Sequence, residues 1–155
     1  MYSLDTSALL DGGRRYYPPD VFPPLWEKLS ELIQGGKLSS PDEVREELKK
    51  KDDEVWRWAR EQIGLFVPLA DDIQSATVAI LAAFPKLVDT RRGRGQADPF
   101  VIAHARVNGH VVVTGERRPG TKTKPTIPYV CRHFNVRYLD LLGLMREQGW
   151  TFSSA

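Results

Sequence analysis

Cysteine occurs once in the 155 residues, at Cys131, which excludes an internal disulfide and a thiolate zinc site, since each needs several thiols. A reducing, cytoplasmic setting is the expectation. No apolar run approaches the roughly 18 residues that cross a bilayer, and the opening Met1-Tyr2-Ser3-Leu4-Asp5-Thr6 has neither the basic segment nor the long apolar stretch of a secretory signal. An excess of charge is also missing, for the formal total is only +2. That total hides an uneven distribution. Arg91, Arg92 and Arg94, then Arg117, Arg118, Lys122 and Lys124, are seven of the 22 basic residues, and without these seven the formal charge falls from +2 to −5. Positive potential concentrated in two loops of an otherwise acidic molecule suits a polyanionic ligand.

What is present is ordinary for a globular domain. Hydrophobic residues make up 41% and charged residues 27%, enough to bury a core and too apolar for intrinsic disorder. The length fits one domain spanning 1–155.

Along the chain, Tyr2 to Leu4 is a short strand that runs straight into Asp5, and Gly12 to Pro19 reads as a loop. Phe22, Leu25, Trp26, Leu29, Leu32 and Ile33 recur at spacings of three and four, predicting a core-facing helix closed by Gly35-Gly36. Lys37 to Ser39 is a weak strand. Ser40-Pro41-Asp42-Glu43 predicts a capping box with Ser40 as N-cap, opening a helix from about Pro41 to Lys51. Trp56, Ala59, Arg60 and Ile63 give another helical stripe, and Asp71 or Asp72 caps a helix that Pro85 stops. Asp98-Pro99 opens a helix to about Val107, with Asn108-Gly109 as its exit. His110-Val111-Val112-Val113-Thr114 is a strand apolar enough for burial on both faces, Pro128 to Phe134 is a short helix, Val136 to Leu139 is the last strand, and a helix follows around Leu141 to Gln148. Strands separated by helices predict an α/β fold with a parallel sheet covered on both faces. Any active site then belongs at the carboxyl ends of its strands.

That rule singles out Asp5, directly after the first strand, and Thr114-Gly115-Glu116 after the Val-Val-Val strand. Asp98 opens the helix that leads into the same strand, where it can cap the helix and still offer an oxygen to a ligand. In the helix from Pro41, successive residues step by about 100°, so Glu47 borders the buried stripe of Val44 and Leu48 while Glu46 points to solvent. Glu43 is assigned to the capping box. Four carboxylates converging at one sheet edge repel one another unless a divalent cation neutralises them, and ligands that are all oxygen favour Mg²⁺ or Mn²⁺ over zinc.

These residues give the chain a resemblance to PIN-domain ribonucleases, of the kind found as VapC-type toxins of toxin–antitoxin pairs. The resemblance rests on Leu4-Asp5-Thr6-Ser7, on Val44-Arg45-Glu46-Glu47-Leu48, and on Asp98-Pro99-Phe100-Val101-Ile102-Ala103-His104-Ala105 leading to Val112-Val113-Thr114-Gly115-Glu116. It covers nearly the whole chain. It implies a three-layer α/β/α sandwich, frequent dimerisation, an antitoxin partner lying across the groove, and RNA hydrolysis leaving a 5′-phosphate and a 3′-hydroxyl. Carried over residue by residue, Asp5, Glu47 and Asp98 match the acidic positions best maintained in such proteins. Glu116 stands where many members carry Asp or Asn. The expected site is therefore Asp5, Glu47, Asp98 and Glu116 on one or two Mg²⁺ or Mn²⁺ ions, with Thr6, Ser7 and Thr114 as supporting hydroxyls. RNA is expected on Arg91, Arg92, Arg94, Arg117, Arg118, Lys122 and Lys124, with Tyr16 and Tyr17 beside Arg14 and Arg15 available to stack unpaired bases.

Plainer readings stand beside these. His104 is a packed helix residue, His110 and His133 carry no assignment, the four tryptophans are core or interface anchors, and Cys131 is a small buried apolar residue. Two rival functions remain: a PIN-like module that binds RNA or protein without cutting, and a phosphatase using Asp5 as nucleophile. The second lacks the acid expected two residues later, where this chain has Ser7.

Overall fold

The computed structural model describes residues 1–89 and 95–153, so Arg91, Arg92 and Arg94 lie outside the described residues. Five strands, β1 (Tyr2–Leu4), β2 (Leu38–Pro41), β3 (Phe66–Val67), β4 (Val111–Val113) and β5 (Tyr138–Leu139), form one sheet in the order β3-β2-β1-β4-β5. Every pairing is parallel. Among the described residues eight α-helices cover the two faces, giving a three-layer α/β/α sandwich: α1 (Thr6–Asp11), α2 (Pro23–Gln34), α3 (Asp42–Lys51), α4 (Glu54–Arg60), α5 (Asp71–Ala83), α6 (Asp98–Asn108), α7 (Ile127–His133) and α8 (Leu141–Glu147). None of them is long and apolar enough to cross a membrane.

The sheet order determines where a site can form. From β1 the chain steps outward through β2 to β3, then returns to place β4 on the other flank of β1, with β5 beyond it. The connections after β1 and β4 therefore diverge and leave a crevice at the carboxyl ends of those two strands. Leu4, Val112 and Val113 are fully buried between the helical layers, as the uninterrupted apolar strand requires. Both edges of the crevice thus stand on fully buried strand ends at the centre of the sheet.

Several expectations need correction. The chain after Asp5 is helical from Thr6, and α1 continues into a π-helical turn over Gly12–Tyr16 where a loop is predicted. Ala8 and Leu9 are buried in α1, and a Cβ at Gly13 would lie 2.2 Å from Val55 Cγ2, so the bare backbone of this turn packs where a side chain cannot. The capping box does not form. Ser40 belongs to β2 and donates to Leu4 O at 2.8 Å, Pro41 takes the N-cap position without a side-chain bond, and Glu43 keeps a buried carboxylate oxygen without a partner. Ile63 lies beyond the end of α4 and is 92% exposed. Its place beside the core is taken by Leu65, which leads into β3, a strand of two residues that hydrophobic periodicity does not register.

His104 is packed, as expected. Asn108 Nδ2 lies 3.2 Å from its Nδ1 and Ser39 Oγ 2.9 Å from its Nε2, so a neutral ring with one donor and one acceptor satisfies both neighbours. Burial, and then the nearby His110, lower its pKa to about 4. Trp26 is buried edge-on against the half-buried Trp58, and Cys131 is fully buried, its thiol pushed up to about 12 chiefly by desolvation.

Candidate active site

Asp5 follows β1 directly, and its backbone N–H donates to Val113 O at 2.9 Å, which ties the two strand ends together. Its side chain is only 2% exposed. Ser7 Oγ and Thr114 Oγ1 both donate to Asp5 Oδ2, the second at 3.0 Å. These hydroxyls are themselves held, because Gly115 N donates to Ser7 Oγ at 2.9 Å and Glu116 N donates to Thr114 Oγ1 at 3.1 Å. One oxygen of Asp5 is therefore fixed by a network spanning β1, α1 and the exit of β4. The other is left for a ligand.

The two glutamates are anchored in the same way. Glu47 Oε1 accepts from Ala97 N at 2.8 Å, bracing α3 against the start of α6, and Glu116 Oε2 accepts from Ile127 N at 3.0 Å at the start of α7. Helix α3 presents Glu47 half-buried and Glu46 exposed, as its angular position predicts. Asp98 is the first residue of α6, and it makes no side-chain cap, so the capping role is not used. Gly95, with φ +71°, passes close over it: a Cβ there would lie 2.7 Å from Leu87 O and 3.1 Å from Asp98 Oδ2.

Asp5, Glu47, Asp98 and Glu116 line one open groove of about 600 Å³ together with Thr6, Ser7, Arg117 and Arg118. The structure thus gathers all four predicted acids and two of the predicted cations. Lys122 and Lys124 are exposed further along the loop and do not line the groove. Arg14 is paired with Asp53 and turned to α4, Tyr17 is half-buried edge-on against Phe22, and Arg15 and Tyr16 are exposed.

Electrostatics set this groove apart. Desolvation, opposed in part by the Ser7 and Thr114 hydrogen bonds and reinforced by the charges of Glu47 and Glu116, raises the pKa of Asp5 to about 6. Burial and the charges of Asp5, Glu116 and Glu47 raise that of Asp98 well above its ordinary value. Among the described residues no cation pairs with either acid, and Thr6 Oγ1 is buried at the groove wall without a partner. The groove is open rather than caged. Among the described residues no group of three or more His, Cys, Asp or Glu side chains is already drawn together around a metal position.

Sequence reasoning missed two further acids, Asp11 and Asp89, on the groove wall, and Lys50 and Lys51 on the flank beyond Glu47. Asp11 had a signal. It lies four residues after Ser7, one helical turn along α1, and it is overlooked only where that segment is read as a loop.

Gly115 is the closest packing point of the site. A Cβ there would lie 2.5 Å from Asp11 Oδ2 and 2.9 Å from the backbone Ser7 O. Gly115→Ala is expected to destabilise by about 1–3 kcal/mol, because the exit of β4 must back away from α1. Thermal unfolding checks this, and an unchanged midpoint would show that the two segments are not held together. No curated protein matches the chain. The profile of a family described as a domain of unknown function, DUF4411, matches residues 2–152, and the chain belongs to that family.

Proposed function

We propose that this chain is a metal-dependent ribonuclease of PIN-like design, in which Asp5, Glu47, Asp98 and Glu116 hold one or two Mg²⁺ or Mn²⁺ ions. The observation that carries the reading is the gathering of four carboxylates at the β1–β4 crevice, two of them with pKa values raised by burial and mutual repulsion and, among the described residues, paired with no cation. The donor set fits such an ion. It is all oxygen, Asp5, Glu47 and Glu116 each have one oxygen anchored by the protein and one uncommitted, and the Thr6 hydroxyl is orphaned beside them.

A divalent ion bound there would lower the pKa of a water and offset the charge that develops on the phosphate. The chain's own residues do the positioning. Ser7 and Thr114 fix the rotamer of Asp5, the Ala97 and Ile127 amides fix Glu47 and Glu116, and Arg117 and Arg118 bring positive charge to the groove rim where a phosphate backbone would pass. Lys50 and Lys51 flank the far end. Hydrolysis adds water across the phosphodiester, breaking the bond from phosphorus to O3′, and leaves a 5′-phosphate and a 3′-hydroxyl. A cytoplasmic toxin acting against cellular RNA and silenced by an antitoxin protein is the biological setting that the PIN resemblance supports.

The test is cleavage of a mixed single-stranded RNA with Mn²⁺, Mg²⁺ or EDTA, with product ends identified. The proposal expects metal-dependent fragments carrying a 5′-phosphate. Fragments ending in a 2′,3′-cyclic phosphate, formed equally in EDTA, would overturn it.

A further inference from the structure

Past Glu116 the acidic groove is bordered by a second depression that the metal chemistry leaves unused. Glu116 and Arg117 line both, and the far walls of the second come from Tyr138 in β5, Pro128 and Arg132 in α7, and Leu142 in α8. Its volume of about 520 Å³ lies within the range of small-ligand sites. Leu142 is 39% exposed beside Pro128, an apolar wall that suits a sugar or a base better than a bare ion.

Most charges around this depression are already committed. Glu116 belongs to the acidic cluster, with one oxygen on the Ile127 amide. Arg117 Nη2 lies 3.9 Å from Asp140 Oδ2, so those two offset each other. Arg132 is different: it is exposed, and among the described residues no carboxylate pairs with it. It is nevertheless held in place. Arg132 Nη1 donates to Tyr138 Oη at 2.8 Å, and Nη2 donates to the backbone Pro119 O at 2.6 Å. Both acceptors are neutral, so they orient the guanidinium without cancelling its charge. Two of its five N–H groups are used in this way, and three are left for an anion.

We propose that Arg132 binds a phosphate group of the RNA strand where the strand leaves the acidic groove past Glu116, with the adjoining nucleotide lying against Leu142 and Pro128. This inference rests on the ribonuclease reading above. A strand fits better than a free phosphate ion, because groove and depression share Glu116 and Arg117 and one extended ligand can occupy both. A planar guanidinium held by neutral partners is suited to a phosphate, whose oxygens it can meet through paired N–H groups. The same two hydrogen bonds also brace the segment after β4 against β5, so charge and bracing must be separated by experiment.

The experiment is fluorescence anisotropy of an end-labelled oligouridine octamer in EDTA, with affinity followed from about 50 to 200 mM salt. Arg132→Gln is expected to weaken binding and to flatten the slope of log affinity against log salt by about 0.7, the value of one phosphate contact on a single strand. Arg132→Lys keeps the charge but loses the fork that reaches both acceptors, so it is expected to restore most of the slope, whereas a brace alone would be lost equally in both variants. Leu142→Glu puts a carboxylate at an exposed position in the first turn of α8, where an acid suits the helix dipole. It leaves the Arg132 hydrogen bonds alone, is expected to weaken binding severalfold, and decides the matter if Arg132→Gln does not fold. Wild-type affinity and slope in Arg132→Gln, equal losses in Arg132→Gln and Arg132→Lys, wild-type binding by Leu142→Glu, or no measurable binding by the wild-type protein would each overturn the proposal. Binding that depends on Arg132 in a protein that never cuts RNA with Mn²⁺ would defeat the ribonuclease reading and leave the phosphate site standing. Metal-dependent cutting by a protein whose Arg132→Gln variant keeps the wild-type slope would do the reverse.

Discussion

Asp5→Asn is expected to lower RNA cleavage a thousandfold or more, equivalent to about 4 kcal/mol of barrier, and at the same time to stabilise the metal-free protein. Both effects come from the same burial. Asn can still accept at one oxygen from Ser7 and Thr114, so the local network survives, but the buried negative charge that would hold the ion is gone. A carboxyl whose pKa rises from 3.8 to about 6 on folding costs the fold on the order of 3 kcal/mol at neutral pH, at about 1.4 kcal/mol per unit. Removing it is expected to raise the unfolding midpoint in EDTA by several degrees. A variant that is inactive and also less stable would show that Asp5 serves the fold rather than the chemistry.

The second large effect is the pH dependence of stability with and without metal. Asp5 and Asp98 have folded pKa values above their unfolded ones, so the folded state binds more protons than the unfolded state between the two values. Their contribution is fully present below about pH 4; that of Asp5 is lost as pH rises through about 6, and that of Asp98 is likewise lost on the alkaline side of its ordinary value. His104 works in the opposite sense: its folded value of about 4 lies below the ordinary 6.5, so its contribution is present above 6.5 and lost as pH falls toward 4. In EDTA the two trends offset each other in the wild-type protein, whereas Asp5→Asn keeps only the Asp98 contribution against the acid lability of His104. Saturating Mn²⁺ at pH 7.5 is expected to stabilise the wild-type protein, by about 2.7 kcal/mol at a hundred times the dissociation constant. The expected shift falls to about half or less in Asp5→Asn. Unfolding curves between pH 4 and 8, with EDTA and with Mn²⁺, read all of these, and equal stabilisation of both proteins by Mn²⁺ would place the ion elsewhere.

Much of this arrangement is legible in the sequence because the signals are strong where the core is strong. Strand β4 is read from three valines, α2 from six apolar residues at helical spacing, and α6 from Asp-Pro at its start and Asn-Gly at its end. Glu47 can be chosen over Glu46 from angular position alone, because α3 packs one face on the core. The failures lie where tertiary contact overrides local pattern. The glycines after α1 signal a loop in isolation, yet here they let a helical turn pack against Val55 and Trp26. The capping box after β2 is defeated because Ser40 is drawn into the sheet and its hydroxyl bonds to Leu4 O. Asp11, Asp89, Lys50 and Lys51 reach the groove through packing that brings α1, α3 and the segment before α6 side by side, and no spacing in the chain records that.

The claim that the four carboxylates form one cation site is tested most directly by calorimetric titration of Mn²⁺ into the wild-type protein and into Asp5→Asn, Glu47→Gln, Asp98→Asn and Glu116→Gln. Each substitution removes one charge while leaving a neutral side chain of the same shape. The account predicts that the wild-type protein binds, that Asp5→Asn and Asp98→Asn weaken binding by tenfold or more, about 1.4 kcal/mol each, and that Glu47→Gln and Glu116→Gln weaken it measurably. Binding of Mn²⁺ by all four variants with the wild-type affinity would contradict it.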